Sequence, residues 1–165
     1  MKEQWIAVLN NAEEFFNRST RCLSEEHSQY RPTDDGFTVA QQVAHVAQTV
    51  DWFLEGATSP KGFDMDFEGH MAAVSEITSL ADARAWLARS FNAAREFVEK
   101  SAGAELQAPL PEGPVMPGLP KFTIFPGIDE HTAHHRGALT VYSRMLGLTP
   151  PLPYMDMPES ATNSS

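Results

Sequence analysis

The segment DEHTAHHRGALTVYSRMLG, residues 129–147, decides the fold. Turned at 100° per residue, Ile128, His131, His135, Leu139, Tyr142 and Leu146 fall within an arc of about 80°. The spacing predicts an amphipathic helix from Ile128 to Leu146, closed by Gly147 and by Pro150 and Pro151. Two imidazoles therefore share a stripe with core residues. His131 and His135 stand at i and i+4, which brings their Cβ atoms about 6 Å apart, a separation from which two ring nitrogens can converge on one divalent ion. Buried or rim histidines satisfied by ordinary hydrogen bonds account for the pair equally well. His134 lies about 90° from the stripe and reads as a rim residue.

Working outward, three more segments carry a helical period. Trp5, Leu9, Ala12, Phe16 and Leu23 recur at three- and four-residue steps from about residue 3 to 26. A turn follows at Arg31, Pro32, Asp34, Asp35 and Gly36. Thr38, with Gln41 three residues on, has capping-box spacing and opens a second helix that runs to Gly56 with Val39, Val43, Val46 and Val50 on one side. Residues 57–77 form a long connection with one short helix near His70–Glu76. A third helix starts at Ser79, carries Leu80, Ala83, Leu87, Phe91, Ala94 and Val98, and stops by Gly103. Prolines at 109, 111, 114, 117, 120 and 126 exclude helix across the next stretch, where KFTIF at 121–125 reads as briefly extended. No segment alternates with period two. The fold expected is an all-α four-helix bundle, with a long connection between helices two and three and a Pro-rich one before helix four. Residues 1–155 make one domain and 156–165, ending in SATNSS, a disordered tail.

Twelve Lys and Arg against 22 Asp and Glu give a formal charge of −10 over 165 residues. Nucleic acid and anionic membranes are thereby excluded as partners, because phosphate binding depends on clustered basic residues. At 42% hydrophobic and 21% charged, the chain has the composition of a folded domain. The single Cys22 excludes an intrachain disulfide framework and fits a cytoplasmic setting. Residues 1–20 hold no apolar run able to serve as an export signal, and no stretch approaches the ~18 apolar residues of a membrane span. The partner expected is a small molecule. Trp5, Phe15 and Phe16 on helix one hint at a homodimer, unless Phe15 is a lone exposed ring. Asp64, Asp66 and Glu68, alternating with Met65 and Phe67, read as a solvated loop rather than a second ion site.

An ion at the histidine pair needs a third ligand, for which His27, His45 and His70 compete. His27 is at a frayed helix end and His70 in the long connection. His45 is inside a well-bounded helix, where rigid backbone places a ligand accurately. It projects about 130° from the valine stripe, beside Gln41, Thr49 and Trp52, on a polar flank where two helices part. A solvated histidine gives the same pattern.

HTAHHRGAL with VYSRMLG and PPLPY, together with GFTVAQQVAHVA, resembles the DinB/YfiT-like family of metal-dependent bundle proteins. That family carries a His seven to eight residues into its second helix and a His-x-x-x-His pair followed by Arg-Gly near the start of its last. The resemblance follows nearly the whole chain in helix order, with its specific residues confined to about 37–54 and 128–154. It implies an up-down-down-up bundle and a divalent metal ion on His45, His131 and His135, zinc or nickel, with iron or copper also admitted by an all-nitrogen set. It also implies a small metal-dependent enzyme, a transferase or isomerase using a low-molecular-weight thiol, or a hydrolase. A stress-related, non-enzymatic, dimeric metal-binding protein is the alternative. No general acid or base is identifiable. The family commonly has Gln where this chain has Ala138, which removes a polar neighbour from beside the metal pair. In that topology helices two and four are antiparallel, and with helix four starting at Ile128 the levels of His45 and His131 match only after an offset of several ångströms. The charge yields a direct expectation, no measurable affinity for duplex DNA at physiological salt, which a salt-dependent gel shift at micromolar protein would refute.

Overall fold

The computed structural model describes residues 1–156; the expected tail lies outside them except for Asp156, which pairs with Arg21 at 2.8 Å. The chain is helical, with no strand among the described residues and one isolated bridge between Pro109 and Pro120. Four long helices build the core: α1 (Lys2–Thr20), α2 (Val39–Thr58), α4 (Leu80–Lys100) and α6 (Ile124–Met145). Two short ones, α3 (Phe67–Ser75) and α5 (Gly103–Gln107), sit in the connections.

Side-chain contacts fix how the helices run. Arg84 of α4 donates to the Thr20 carbonyl at 2.9 Å and Arg95 to Glu13 at 2.7 Å, so α1 and α4 are antiparallel. Trp5 stacks on Phe122 while Cys22 lies 3.5 Å from Ser143, so α1 and α6 run the same way. Ser28 accepts from the amide of Ala40 and, through Oγ, from that of Leu80, which places the starts of α2 and α4 side by side. The long connection is thus a return path along α2. Trp52 donates to the Asp64 carbonyl near its beginning and Gln41 to the Ser75 carbonyl near its end.

The core is apolar and closed. Phe16, Phe91 and Phe125 are fully buried, together with Leu9, Leu87 and Val39, Val43 and Val46. Truncating one of those rings to alanine costs about 3–5 kcal/mol in such a setting. The valine stripe of α2 lies inside, as its periodicity required.

Several boundaries differ from the sequence reading. The first helix ends at Thr20 rather than near residue 26. Arg84 donates to the Thr20 carbonyl and hydroxyl at its end, and Ser24 with His27 closes a separate 3-10 turn at Glu25–His27. The short helix in the long connection starts three residues early because Asp66 caps it by accepting from Gly69. KFTIF is not extended: Lys121–Thr123 is a 3-10 turn that runs straight into α6 at Ile124. Pro126 is the third residue of α6, where its missing N–H belongs to the first turn that has no helical acceptor anyway. The aromatic surface of α1 is covered from within. Phe16 is core, Trp5 stacks on Phe122 at 5.3 Å, and Phe15 meets Tyr154 at 5.1 Å and the Arg136 guanidinium at 5.9 Å.

The capping box at Thr38 is formed: Thr38 Oγ1 accepts from the Gln41 amide at 3.2 Å and Gln41 Oε1 from the Thr38 amide at 3.0 Å. Thr38→Ala removes the first of these and is expected to lower stability by about 1 kcal/mol in a denaturant titration. An unchanged midpoint would contradict that role.

Candidate metal centre

α2 and α6 pack antiparallel in a definite register. Thr49 Oγ1 lies 3.4 Å from His131 Nε2, and Gln42 reaches His135 one level further on. At Gly127 the helices come so close that a Cβ would stand 2.9 Å from Phe53 Cζ. The early start of α6 narrows the level mismatch noted above, since four extra residues add about 6 Å to its length before His131.

In this register His45, His131 and His135 come together. Ring centroids are 5.0 Å apart for His45 and His131, 4.8 Å for His45 and His135, and 4.5 Å for His131 and His135. One nitrogen from each lies within 4.8 Å of the others. His135 is buried and the other two are half-buried. The competitors are outside the cluster: His27 Nδ1 accepts from the Ser24 amide, and His70 Nε2 faces the Asp64 carboxylate at 3.6 Å. His134 is exposed, as its angle on the helix indicated.

Neighbours not identified from the sequence hold the cluster. His135 Nδ1–H donates to Gln42 Oε1 at 2.6 Å. Gln42 Nε2 donates to the Tyr142 hydroxyl at 3.1 Å, and that hydroxyl donates to the Phe37 carbonyl at 3.2 Å. This relay fixes the tautomer of His135, leaving the Nε2 lone pair free. The outer-shell partner that Ala138 cannot supply from α6 thus comes from α2. Gln42 sits between Val39 and Val43 on a buried face, and an amide in a run of buried aliphatics was the signal available.

Electrostatics keep the three rings neutral. Burial pushes His135 down to about 3 and His131 to about 4, and the neighbouring imidazoles add to both shifts. His45 is lowered by the same burial, with His134 contributing. His45 Nδ1 is also buried without a hydrogen-bond partner. Three neutral nitrogens gathered at one place, one of them unsatisfied, form a donor set that fits a divalent cation.

Beside the cluster lies a cleft of about 370 Å³, with His45 and His131 in its wall. Trp52, Phe53 and Phe67 form its aromatic side, and Met71 and Met116 its flanks. His70 and Glu130 bring the titratable groups that the sequence reading lacked. Cys22 is remote, against Ser143, and acts in packing.

The sign of the pH effect follows from these shifts. An unfolded chain takes up protons on the three histidines near pH 6.5, whereas the folded one does so at about 4 on His131, at about 3 on His135 and below the usual range on His45. Stability of chelator-treated protein is therefore complete above about 6.5 and declines as pH falls toward 4. Urea midpoints across pH 4–7 are expected to fall less steeply for His135→Ala than for wild type. Equal slopes would mean that His135 is not held neutral by the fold.

A family model described as the DinB superfamily matches residues 9–139, from α1 into α6, and so spans all three histidines. Among solved structures, a DinB-like protein of Bacillus subtilis, YjoA, determined at 2.30 Å, aligns with a TM-score of 0.62. The alignment covers 94% of this chain and 99% of that one at 16% identity, a likeness of fold. Among curated proteins none matches. With most of its length matched by the family model, the chain belongs to the DinB superfamily.

Proposed function

We propose that the chain is a metal-dependent enzyme in which His45, His131 and His135 hold one divalent cation, zinc or nickel first among the candidates. The observation that carries this reading is the gathering of three neutral imidazoles, with no charge partner of their own, beside a cleft of small-molecule size. A divalent ion bound there would supply a Lewis acid able to bring a water or a thiol to its nucleophilic form near neutral pH.

The protein's own groups have separable tasks in this account. Gln42 holds His135 in one tautomer, and Tyr142 holds Gln42, so the ligand set is oriented before anything binds. Thr49 braces His131. The aromatic wall excludes water from one side of the cleft and orients a substrate. The reaction class proposed is transfer or isomerisation with a low-molecular-weight thiol as cosubstrate, or hydrolysis, acting on a small molecule.

His45→Ala, His131→Ala and His135→Ala are each expected to lose most bound metal after reconstitution and dialysis, while His27→Ala, His70→Ala and His134→Ala retain it. Elemental analysis decides. Loss from His134→Ala equal to that from His131→Ala would overturn the assignment. Gln42→Ala keeps all three ligands and is expected to weaken metal affinity by about 10- to 100-fold, read by competition with a chromophoric chelator. For the thiol, cobalt-substituted protein titrated with small cellular thiols should gain an intense near-ultraviolet band that is absent in His135→Ala. Turnover of electrophiles without any thiol would favour the hydrolase.

A further inference from the structure

The cleft has a chemistry of its own beyond His45 and His131, the two cluster histidines in its wall. Its one aromatic wall is rigid: Trp52 donates to the Asp64 carbonyl at 2.7 Å and packs against Phe63 at 4.7 Å and Phe53 at 5.2 Å. Phe67 extends that wall to the mouth and is 53% exposed, an unusual position for a large ring with nothing over it. Met71 and Met116 flank the wall with thioethers, groups that pack well on aromatic edges. Met116 is held there at φ 48, the only non-glycine residue with positive φ among those described. No lysine or arginine lines the space, and its one formal charge is Glu130.

His70 supplies the polar end. It stands on the first turn of α3, positioned by the Asp66 cap. Its Nε2 is buried and 3.6 Å from the Asp64 carboxylate, beyond hydrogen-bond reach. The Asp64 carboxylate is itself fixed by the Asp66 amide at 3.0 Å. His70 lines the cleft with Nε2 left without a hydrogen-bond partner in the protein. Asp64 and Asp66 thus help to place His70.

We infer that this cleft takes a flat aromatic molecule without negative charge, its ring against Trp52 and a hydroxyl or amine directed at His70. The inference rests on the metal-enzyme reading for its catalytic meaning, but the binding it describes does not require the ion. Without a bound ion, a cleft that has no basic side chain and one carboxylate disfavours phosphates and carboxylates. A locked indole with a second exposed ring rewards planarity, since stacking adds to simple burial.

The probes are 2-naphthol, its saturated analogue decahydro-2-naphthol, naphthalene and 2-naphthoate, added to chelator-treated and zinc-loaded full chain and followed by NMR. On the chelated protein 2-naphthol is expected to move the Trp52 indole N–H resonance, assigned with Trp52→Phe, and to bind about tenfold tighter than either the saturated analogue or 2-naphthoate. Trp52→Ala should weaken 2-naphthol about tenfold, and His70→Ala about fivefold, with naphthalene unaffected by the latter. Should Trp52→Ala fail to fold by circular dichroism, Phe67→Ala, at an exposed position, carries the same test. Equal binding of the saturated or anionic probe, indifference to both substitutions, or no binding at all would overturn the inference. Zinc affinity measured alongside separates the two proposals: 2-naphthol binding without zinc binding overturns only the metal reading, and the reverse only this one.

Discussion

Holding three imidazoles side by side between α2 and α6, one buried and two half-buried, without a counter-charge, is the constraint on which the surrounding structure depends. Neutral rings can be buried only if their polar atoms are satisfied or given a ligand. His135 is satisfied on one side by Gln42, whose own amide is satisfied by Tyr142, which in turn reaches the Phe37 carbonyl. The relay links the residue just before the Thr38 cap to the far half of α6. Helix capping, helix register and ligand orientation are therefore one connected arrangement.

The same constraint explains the connections. α2 and α6 must lie antiparallel and close, as Gly127 permits against Phe53. α4 lies alongside α2 and starts beside it, so the chain must travel back along α2 before α4 begins. That return is not idle, because it carries Phe67, His70 and Met71 to the open side of the histidines. The Pro-rich stretch before α6 brings Met116 to the same space. The connections between the helices thus wall a cleft that the helices alone would leave open.

Much of this was legible in the sequence. The periodicity of α2, α4 and α6 gave their existence and inner faces, and the i, i+4 pair with His45 named the three residues that the structure gathers. What was illegible has physical reasons. Pro126 looked like a helix breaker, but its effect depends on whether its nitrogen falls in the first turn, which depends on where Ile124 packs. The end of α1 is set by Arg84, more than sixty residues away, and no local pattern reports such a contact. His70 enters the cleft through the path of a connection and Glu130 from α6, and Gln42 became visible as a partner only once α6 was docked against it. The shielding of Phe15 by Tyr154 and Arg136 is likewise tertiary.

The central claim is that these three histidines act together on one ion, and X-ray absorption at the metal edge of zinc-loaded protein tests it most directly. The account predicts a first shell containing three imidazole nitrogens at about 2.0–2.1 Å, with the multiple-scattering signature of the rings. Loss of one imidazole in each of the His45→Ala, His131→Ala and His135→Ala spectra should follow wherever metal is retained. A shell dominated by carboxylate oxygens, or one with fewer than three imidazoles in the wild type, would contradict it.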